Sequence, residues 1–336
     1  MDNKEKKLFF IENMAQMDPA VNLAIEEFSV RNLNIDSDYV FVYRNNPSVI
    51  VGRHQNIFEE VDQKYLRLTE IPVFRRISGG GAVYHDPGNI NFTFITRHTF
   101  EKFNNYRMFI APIIRSLSEL SVPAVLNDRN DILVDHKKVS GNAQFTSRDR
   151  MMSHGTLLFD TDLTRLRKTL KSTDGGIESK STKSVRSKVT NIWEYFHPKI
   201  DINTFKQILV DNISGDWNDF YVYKFDDEQW KEINQLARKK YSSWDWNYGQ
   251  SPKFKIKKSD YLSGIRVKAE LEIHNGIIRS CSLRSPSDQL AGIDNLGAFF
   301  NGQRYYYEDL LELLSRVDLN HYFKNVTNND FINFLC

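Results

Sequence analysis

Cysteine is almost missing. Only Cys281 and Cys336 occur in 336 residues, too few for a disulfide framework or a cysteine-rich metal site. Charge of one sign is missing as well. Lys plus Arg number 45 against 43 Asp plus Glu, a net of +2, so no global field draws nucleic acid or an anionic membrane, and any anion site must be local. No apolar run reaches the roughly 18 residues of a membrane span, and in MDNKEKKLFFIENM Glu12 arrives before a signal-peptide core can form. A cytoplasmic protein is expected. Internal repeats and long low-complexity tracts are also lacking. What remains is ample core material, 40% apolar and 13% aromatic, enough for about two domains at about 150 residues each.

Two stretches interrupt the run of structured segments. Residues 171–188 (KSTDGGIESKSTKSVRSK) carry few apolar side chains, two adjacent glycines and a basic excess, and predict a mobile surface loop. Within 241–258 (YSSWDWNYGQSPKFKIKK) a helical charge pattern stops at Gly249 and Pro252 and strand-like alternation begins. This places a boundary between a catalytic domain, 1–245, and an accessory domain, 246–336. In the first, residues 22–30 (NLAIEEFSV) set Leu23, Ala24 and Phe28 with acids between them, predicting an amphipathic helix capped near Asp18 with Pro19 at its start. Strands are predicted over 39–44, 48–51, 72–77, 90–96, 131–134 and 155–160, and helices over 58–69, 105–120, 163–169 and 203–212. These strands are too short and turn-linked for a regular parallel series, so the expected class is α+β: a mixed, mainly antiparallel sheet with flanking helices. After the boundary, 264–274 and 276–283 alternate about Asn275-Gly276, a hairpin signal, and 307–315 reads as helix, giving a small α+β module.

The most informative segment is 75–94, RRISGGGAVYHDPGNINFTF. Three glycines without Cβ atoms let backbone N–H groups wrap an anion such as phosphate or carboxylate. In an extended strand Arg76 and Ser78 share a face while Arg75 and Ile77 take the other, so Arg76 is the candidate ligand. The competing reading is a flexible hairpin tip with solvated arginines. The segment is neither a P-loop, which ends in Gly-Lys-Ser/Thr, nor a GxGxxG fingerprint. In 130–144 (NDILVDHKKVSGNAQ) a strand turns at Asp135-His136 and returns through Lys137 and Lys138 into Ser140-Gly141. One lysine of the pair can project over a phosphate as a point charge, although a solvated edge is the commoner fate. Asp131 can contribute one carboxylate to Mg²⁺, although a surface Asp is the commoner case. His154-Gly155-Thr156 opens a further strand, with His154 either lining a pocket or satisfied in the core. No HExxH or GxSxG pattern occurs, and both cysteines lie outside these motifs.

Together these segments resemble lipoate-protein ligases, a family sharing its catalytic fold with biotin-protein ligases and octanoyltransferases. RRISGGGAVYHDPGNINFTF is similar to the family signature RRxSGGGAVxHDxGNxNFTF, NDILVDHKKVSG to its KVSG segment, and HGTLLFDTDL and SVRSKVTNI to two further blocks. The likeness runs from about Asn22 to Ile192, and WDWNYGQSP resembles the accessory domain of the same ligases. The resemblance implies activation of lipoate by ATP as lipoyl-adenylate, then amide formation with the lysine of a lipoyl domain. It implies that Lys138 is the catalytic lysine, touching both lipoyl carbonyl and phosphate. By the same matching Arg76, Gly81, Ala82, Val83, Tyr84 and Asn89 hold the nucleotide, and Asp131 attends Mg²⁺. Leu23, Tyr43, Ser78, Gly80, His154 and Gly155 take the lipoate, in an apolar tunnel with a polar end. In the family a loop at 171–188 closes over the adenylate and shields it from water. Expected partners are apo lipoyl-domain proteins, E2 subunits and the glycine-cleavage H protein, met by a monomer, with no nucleic acid and no membrane.

Two rival functions share these residues. An ATP-independent lipoyl or octanoyl transferase of the same fold passes the acyl group through a cysteine near the lysine loop, and no cysteine stands there. A non-catalytic binder of lipoate or lipoyl-adenylate would use the same Arg76, Gly81 and Lys138, and release of AMP and pyrophosphate during turnover separates it from a ligase.

Overall fold

Alternation along the chain builds the first layer of the molecule, described by a computed structural model over residues 7–170, 176–285 and 292–336. The chain forms two units. One comprises Met1–Arg53, Thr69–Leu170 and Ser184–Ser243, the other His54–Leu68, Lys171–Lys183 and Trp244–Cys336. Sequence order and spatial grouping therefore differ, because two internal segments of the N-terminal part fold with the C-terminal unit.

The first unit centres on a six-stranded sheet in the order Asn142–Thr146, Arg150–Leu158, Asn89–Arg97, Asp38–Tyr43, Leu8–Ile11 and Phe220–Tyr223. The first four strands pair antiparallel and the last two join parallel, giving the mixed, mainly antiparallel sheet with flanking helices. Opposed residues of paired strands share a face. Val40, Val42, Phe92, Phe94, Met151 and Leu157 thus come to one side, where Phe109, Ile113 and Leu117 of helix Tyr106–Glu119 and Phe205 and Leu209 of helix Ile202–Ser214 bury them. Full burial of each such side chain contributes about 1.5–3 kcal/mol. The other side presents Phe41 and Tyr43, Asn89, Asn91 and Thr93, and His154 and Thr156. Two small three-stranded sheets carry the motif segments: Val73–Arg75, Ser48–Val51 and Val83–His85 in one, Ala124–Leu126, Ile132–Val134 and Lys137–Ser140 in the other.

Helix Pro19–Asn32 starts as expected, with Pro19 in its first turn and the Asp18 side chain accepting the Ala20 N–H at 2.8 Å. It is not amphipathic. Every residue from Pro19 to Val30 is buried, and the two acids read as a polar stripe lie inside at 1% and 4% exposure for Glu26 and Glu27. The helix is covered all round, and each carboxylate finds its own donors. Glu27 takes Arg31 Nε at 2.8 Å, Lys240 Nζ at 2.5 Å and Tyr241 Oη at 2.7 Å.

In the second unit an antiparallel sheet runs Ile177–Ser179, Phe254–Leu262, Ile265–His274 and Ile277–Arg284. Asn275 and Gly276 both have positive φ, 50° and 71°, the backbone that a two-residue hairpin turn requires. Ser263 and Gly264 repeat it. Of the expected loop 171–188, residues 171–175 lie outside those described. The rest is not free loop: Ile177–Ser179 adds an edge strand, which needs only backbone pairing, and the buried Glu59 accepts Ser179 Oγ and Ser181 Oγ and pairs with Lys183. The expected helix over 58–69 is broken into Ile57–Glu60 and Gln63–Leu68, and Phe58 of the first piece meets Phe254 at a tilt and Tyr305 edge-on.

Candidate active site

The glycine loop is shaped from behind by Arg76. Strand Val73–Arg75 delivers it into the interior, where it is 6% exposed. Its Nε donates to Ser78 Oγ at 3.0 Å and its Nη1 to the Ile50 carbonyl at 3.1 Å. Nη2 donates to the carbonyls of Gly79 and Gly81 at 2.6 and 2.8 Å. In a trans peptide the C=O and the following N–H point oppositely, so turning these two carbonyls onto the guanidinium turns the N–H groups of Gly80 and Ala82 away from it. Gly80 is held at φ +89°, and a Cβ there would stand 3.0 Å from Arg76 Nη2, so this position requires glycine. Burial lowers Arg76 to about 10, against the opposing pull of Glu26 and Tyr43, which leaves it a cation at neutral pH.

Arg75, set by alternation on the face opposite Arg76, does not reach solvent either, which removes the reading of a hairpin tip with solvated arginines. It is fully buried, donates from Nη1 to the carbonyls of Gly52 and Arg53 at 3.0 and 3.4 Å, and is lowered to about 9 by burial and by the charges of Arg53 and Arg76. Both arginines are thus internal braces. After the loop, Val83 and Tyr84 enter strand Val83–His85. Tyr84 is buried and raised to about 12, by burial first and then by Asp86. Asn89 is fully buried on the polar side of the large sheet, donating to Asn91 Oδ1 at 3.0 Å.

Strand Lys137–Ser140 separates its two lysines as alternation requires, with Lys137 exposed. The Lys138 ammonium pairs with Asp131 Oδ1 at 2.7 Å. It lies across Gly141, where a Cβ would meet Nζ at 3.0 Å and Cε at 3.1 Å. The Lys138 backbone is fixed too: its N–H donates to the Lys188 carbonyl at 2.7 Å, and its carbonyl accepts the Thr190 N–H at 3.2 Å. Asp135 and His136 both take positive φ in the expected turn.

Beside the loop runs a chain of hydrogen bonds around a carboxylate. Ser78 Oγ meets His154 Nε2 at 2.7 Å, and His154 Nδ1 meets Glu26 Oε1 at 3.1 Å. The same oxygen accepts Thr93 Oγ1 at 2.5 Å and Tyr43 Oη at 3.2 Å. A carboxylate only accepts, so the proton of a neutral His154 belongs on Nδ1 and Ser78 donates to Nε2. Burial presses the Glu26 carboxyl upward, but His154, Thr93 and Tyr43 outweigh it and hold the group below its ordinary range. Burial and the neighbouring Glu26 charge push the Tyr43 phenol well up. Tyr43 and His154, expected in an apolar tunnel, therefore belong to a polar network, with Leu23 buried one turn before Glu26 on the same helix. Gly155 turns to the opposite face of the sheet, where a Cβ would strike Asn142 Oδ1 at 2.1 Å and Phe92 Cζ at 2.5 Å. Sequence reasoning missed Glu26. Its signal was two adjacent acids inside an apolar helix.

The site thus offers outward N–H groups, an ammonium beside a carboxylate and a buried polar chain. It suits a bound carboxylate brought against a phosphate. Among the described residues no group of three or more His, Cys, Asp or Glu stands ready for a metal ion. The two thiols lie in the second unit and are raised to about 12 and about 11, by burial first in each case.

Known proteins resemble the chain over nearly its whole length. Residues 18–214 match the family model of the lipoyl protein ligase A/B catalytic domain, and residues 251–335 that of the bacterial lipoate protein ligase C-terminus. The lipoate-protein ligase LplJ of Bacillus subtilis is 39% identical over 330 residues, which cover 98% of this chain and 100% of that protein. A crystal structure of lipoate-protein ligase A bound with ATP superposes with a TM-score of 0.61 at 27% identity, covering 73% of this chain and 99% of the other. A bipartite lipoate protein ligase from Thermoplasma acidophilum, described with its E2 lipoyl domain, gives 0.61 at 25% identity, covering 74% and 97%.

Proposed function

The chain belongs to the lipoate-protein ligase family, and from that premise we propose how its residues divide the work. The protein is an ATP-dependent lipoate-protein ligase that activates lipoate as lipoyl-adenylate and transfers the lipoyl group to a lysine. The first step brings a carboxylate in line with the α-phosphate, two anions whose approach needs positive charge and N–H donors that act most strongly in the transition state. Gly80 and Ala82, with N–H groups oriented by Arg76, cradle the phosphate. Lys138 bridges the lipoyl carboxylate and the α-phosphate, leaving Asp131 as substrate charge arrives. Pyrophosphate departs. In the second step the neutral amine of the acceptor lysine attacks the acyl carbon, an amide forms, and AMP leaves with the anhydride oxygen.

Glu26, His154, Tyr43 and Ser78 form the polar end of the lipoate site, with Leu23 on its apolar wall. Val83, Tyr84 and Asn89 back the nucleotide from strand and sheet. Mg²⁺ takes one or two carboxylates together with substrate phosphates, and Asp131 fits as the protein's single carboxylate. The ion would neutralise phosphate charge there. Acceptors are lipoyl-domain proteins, E2 subunits and the H protein among them, and the demand for ATP supports a cytoplasmic setting. No helix among the described residues is long and apolar enough to cross a membrane.

The 2.7 Å pair between Lys138 and Asp131, laid over Gly141, carries this reading. The test combines purified protein, lipoate, Mg·ATP and apo lipoyl domains. Stoichiometric pyrophosphate with a lipoyl mass gain on the acceptor is expected. Mass gain from a lipoylated donor without ATP would show the transferase instead, a route already opposed by thiols that burial keeps protonated.

A further inference from the structure

The glycine loop does not meet solvent with all its donors free. The Ala82 N–H, turned outward by the Arg76–Gly81 bond, donates to Ser184 Oγ at 2.9 Å. Ser184 also sits on the open side of Gly81: a Cβ built there would meet Ser184 Oγ at 3.0 Å, Cβ at 3.3 Å and Cα at 3.4 Å. A neutral hydroxyl oxygen thus occupies the place that the loop geometry prepares for an anionic oxygen. The segment that carries it is tied to the other half of the site as well, since the Lys188 carbonyl and the Thr190 N–H bond the backbone of Lys138.

We propose that Ser184 is a built-in stand-in for a phosphate oxygen, which satisfies the Ala82 N–H in the empty enzyme and which the nucleotide must displace. The proposal rests on the reading of the glycine loop as the nucleotide site. A charged acceptor makes a hydrogen bond roughly twice as strong as a neutral one, so phosphate wins the exchange. It does so against a bond that already exists, and apparent affinity is reduced accordingly. The hydroxyl also keeps a half-buried donor from standing unpaired while the site is empty. Ser184 is therefore a positioning residue that sets how readily nucleotide enters. Its departure frees the segment paired with Lys138 to rearrange as the phosphates arrive.

The test measures binding of α,β-methylene ATP by calorimetry, without lipoate, to the wild type, Ser184→Ala and Ser184→Thr. Ser184→Ala is expected to bind about two- to tenfold more tightly, the fold-change of one ordinary hydrogen bond, and Ser184→Thr, which keeps the hydroxyl, to return to wild-type affinity. Amide exchange at Ala82 in the nucleotide-free proteins gives a second readout, slow in the wild type and faster in Ser184→Ala. Equal or weaker binding by Ser184→Ala, with the wild type binding normally, overturns the role of Ser184 and leaves the ligase reading standing. Failure of the wild type to bind the analogue, with no pyrophosphate released from lipoate and ATP, overturns both.

Discussion

The two faces of the six-stranded sheet share the same strands and differ in everything else. On one, Phe92, Phe94 and Leu157 meet two amphipathic helices in a dry core. On the other, Thr93, Tyr43 and His154 surround the Glu26 carboxylate under a helix buried on all sides. Both are closed to water, so burial does not distinguish structure from function here. Chemistry does. The first face removes apolar surface from water, and a vacancy there costs transfer energy plus a cavity. The second arranges donors around charge, and a loss there leaves buried groups unpaired.

Several changes put that distinction at risk, the largest effect first. Lys138→Ala should lower pyrophosphate release by at least about 10²–10³-fold, the scale for removing one transition-state charge donor, while the melting temperature stays near that of the wild type. A variant that fails to fold would place Lys138 in the architecture instead. Phe92→Ala, on the dry face, should cost about 3–5 kcal/mol in denaturant unfolding, with kcat per folded molecule preserved. Glu26→Gln should cost about 1–3 kcal/mol and, with the polar end of the lipoate site where we propose it, raise the KM for lipoate. Unchanged KM would reduce the polar face to scaffold. Glu27→Gln is the matched control, its carboxylate held by Arg31, Lys240 and Tyr241. About 1 kcal/mol of stability should go, with no change in KM.

The smallest effect is on pH. Folded Glu26 titrates below its unfolded value, so its contribution is complete above the unfolded pKa, about 4.3, and fades as pH falls toward and through the folded value. Melting curves from pH 7 down to 3 should show a shallower acid decline in Glu26→Gln than in the wild type. Parallel curves would mean that other carboxylates set the acid limb.

Much of this was legible from residue order. The strands over 39–44, 48–51 and 90–96, the turn at Asn275-Gly276 and the glycine loop rest on local periodicity and backbone demands, and the structure has them within a few residues. Alternation set Lys137 and Lys138 on opposite faces, and the family resemblance singled out Lys138; the structure leaves Lys137 exposed. What local pattern cannot carry is the identity of a distant partner. Glu26 looked like a solvent-facing acid because Thr93 and His154, which hold it, are remote in sequence. Strand Leu8–Ile11 and the edge strand Phe220–Tyr223 are recognisable only as a pair, since they join the sheet side by side from opposite ends of the first unit. Arg75 and Arg76 hid their partners in the same way, although alternation had already turned Arg76 toward the loop. Two cations in a row argue for water until Ile50, Gly52 and the loop carbonyls are seen to receive them.

That arginine brace bears on how far the glycine signature can travel. The orientation of the Ala82 N–H is imposed by Arg76, whose other anchor is the Ile50 carbonyl on a separate strand. Gly52 admits the loop by lacking a Cβ, which would fall 2.2 Å from the Gly80 oxygen. A synthetic peptide spanning the glycines, or a graft of it onto a foreign scaffold, would carry the spelling without the conformation. The transplantable module is the loop together with strand Ser48–Val51 and Gly52, and a designer borrowing the loop would have to move both.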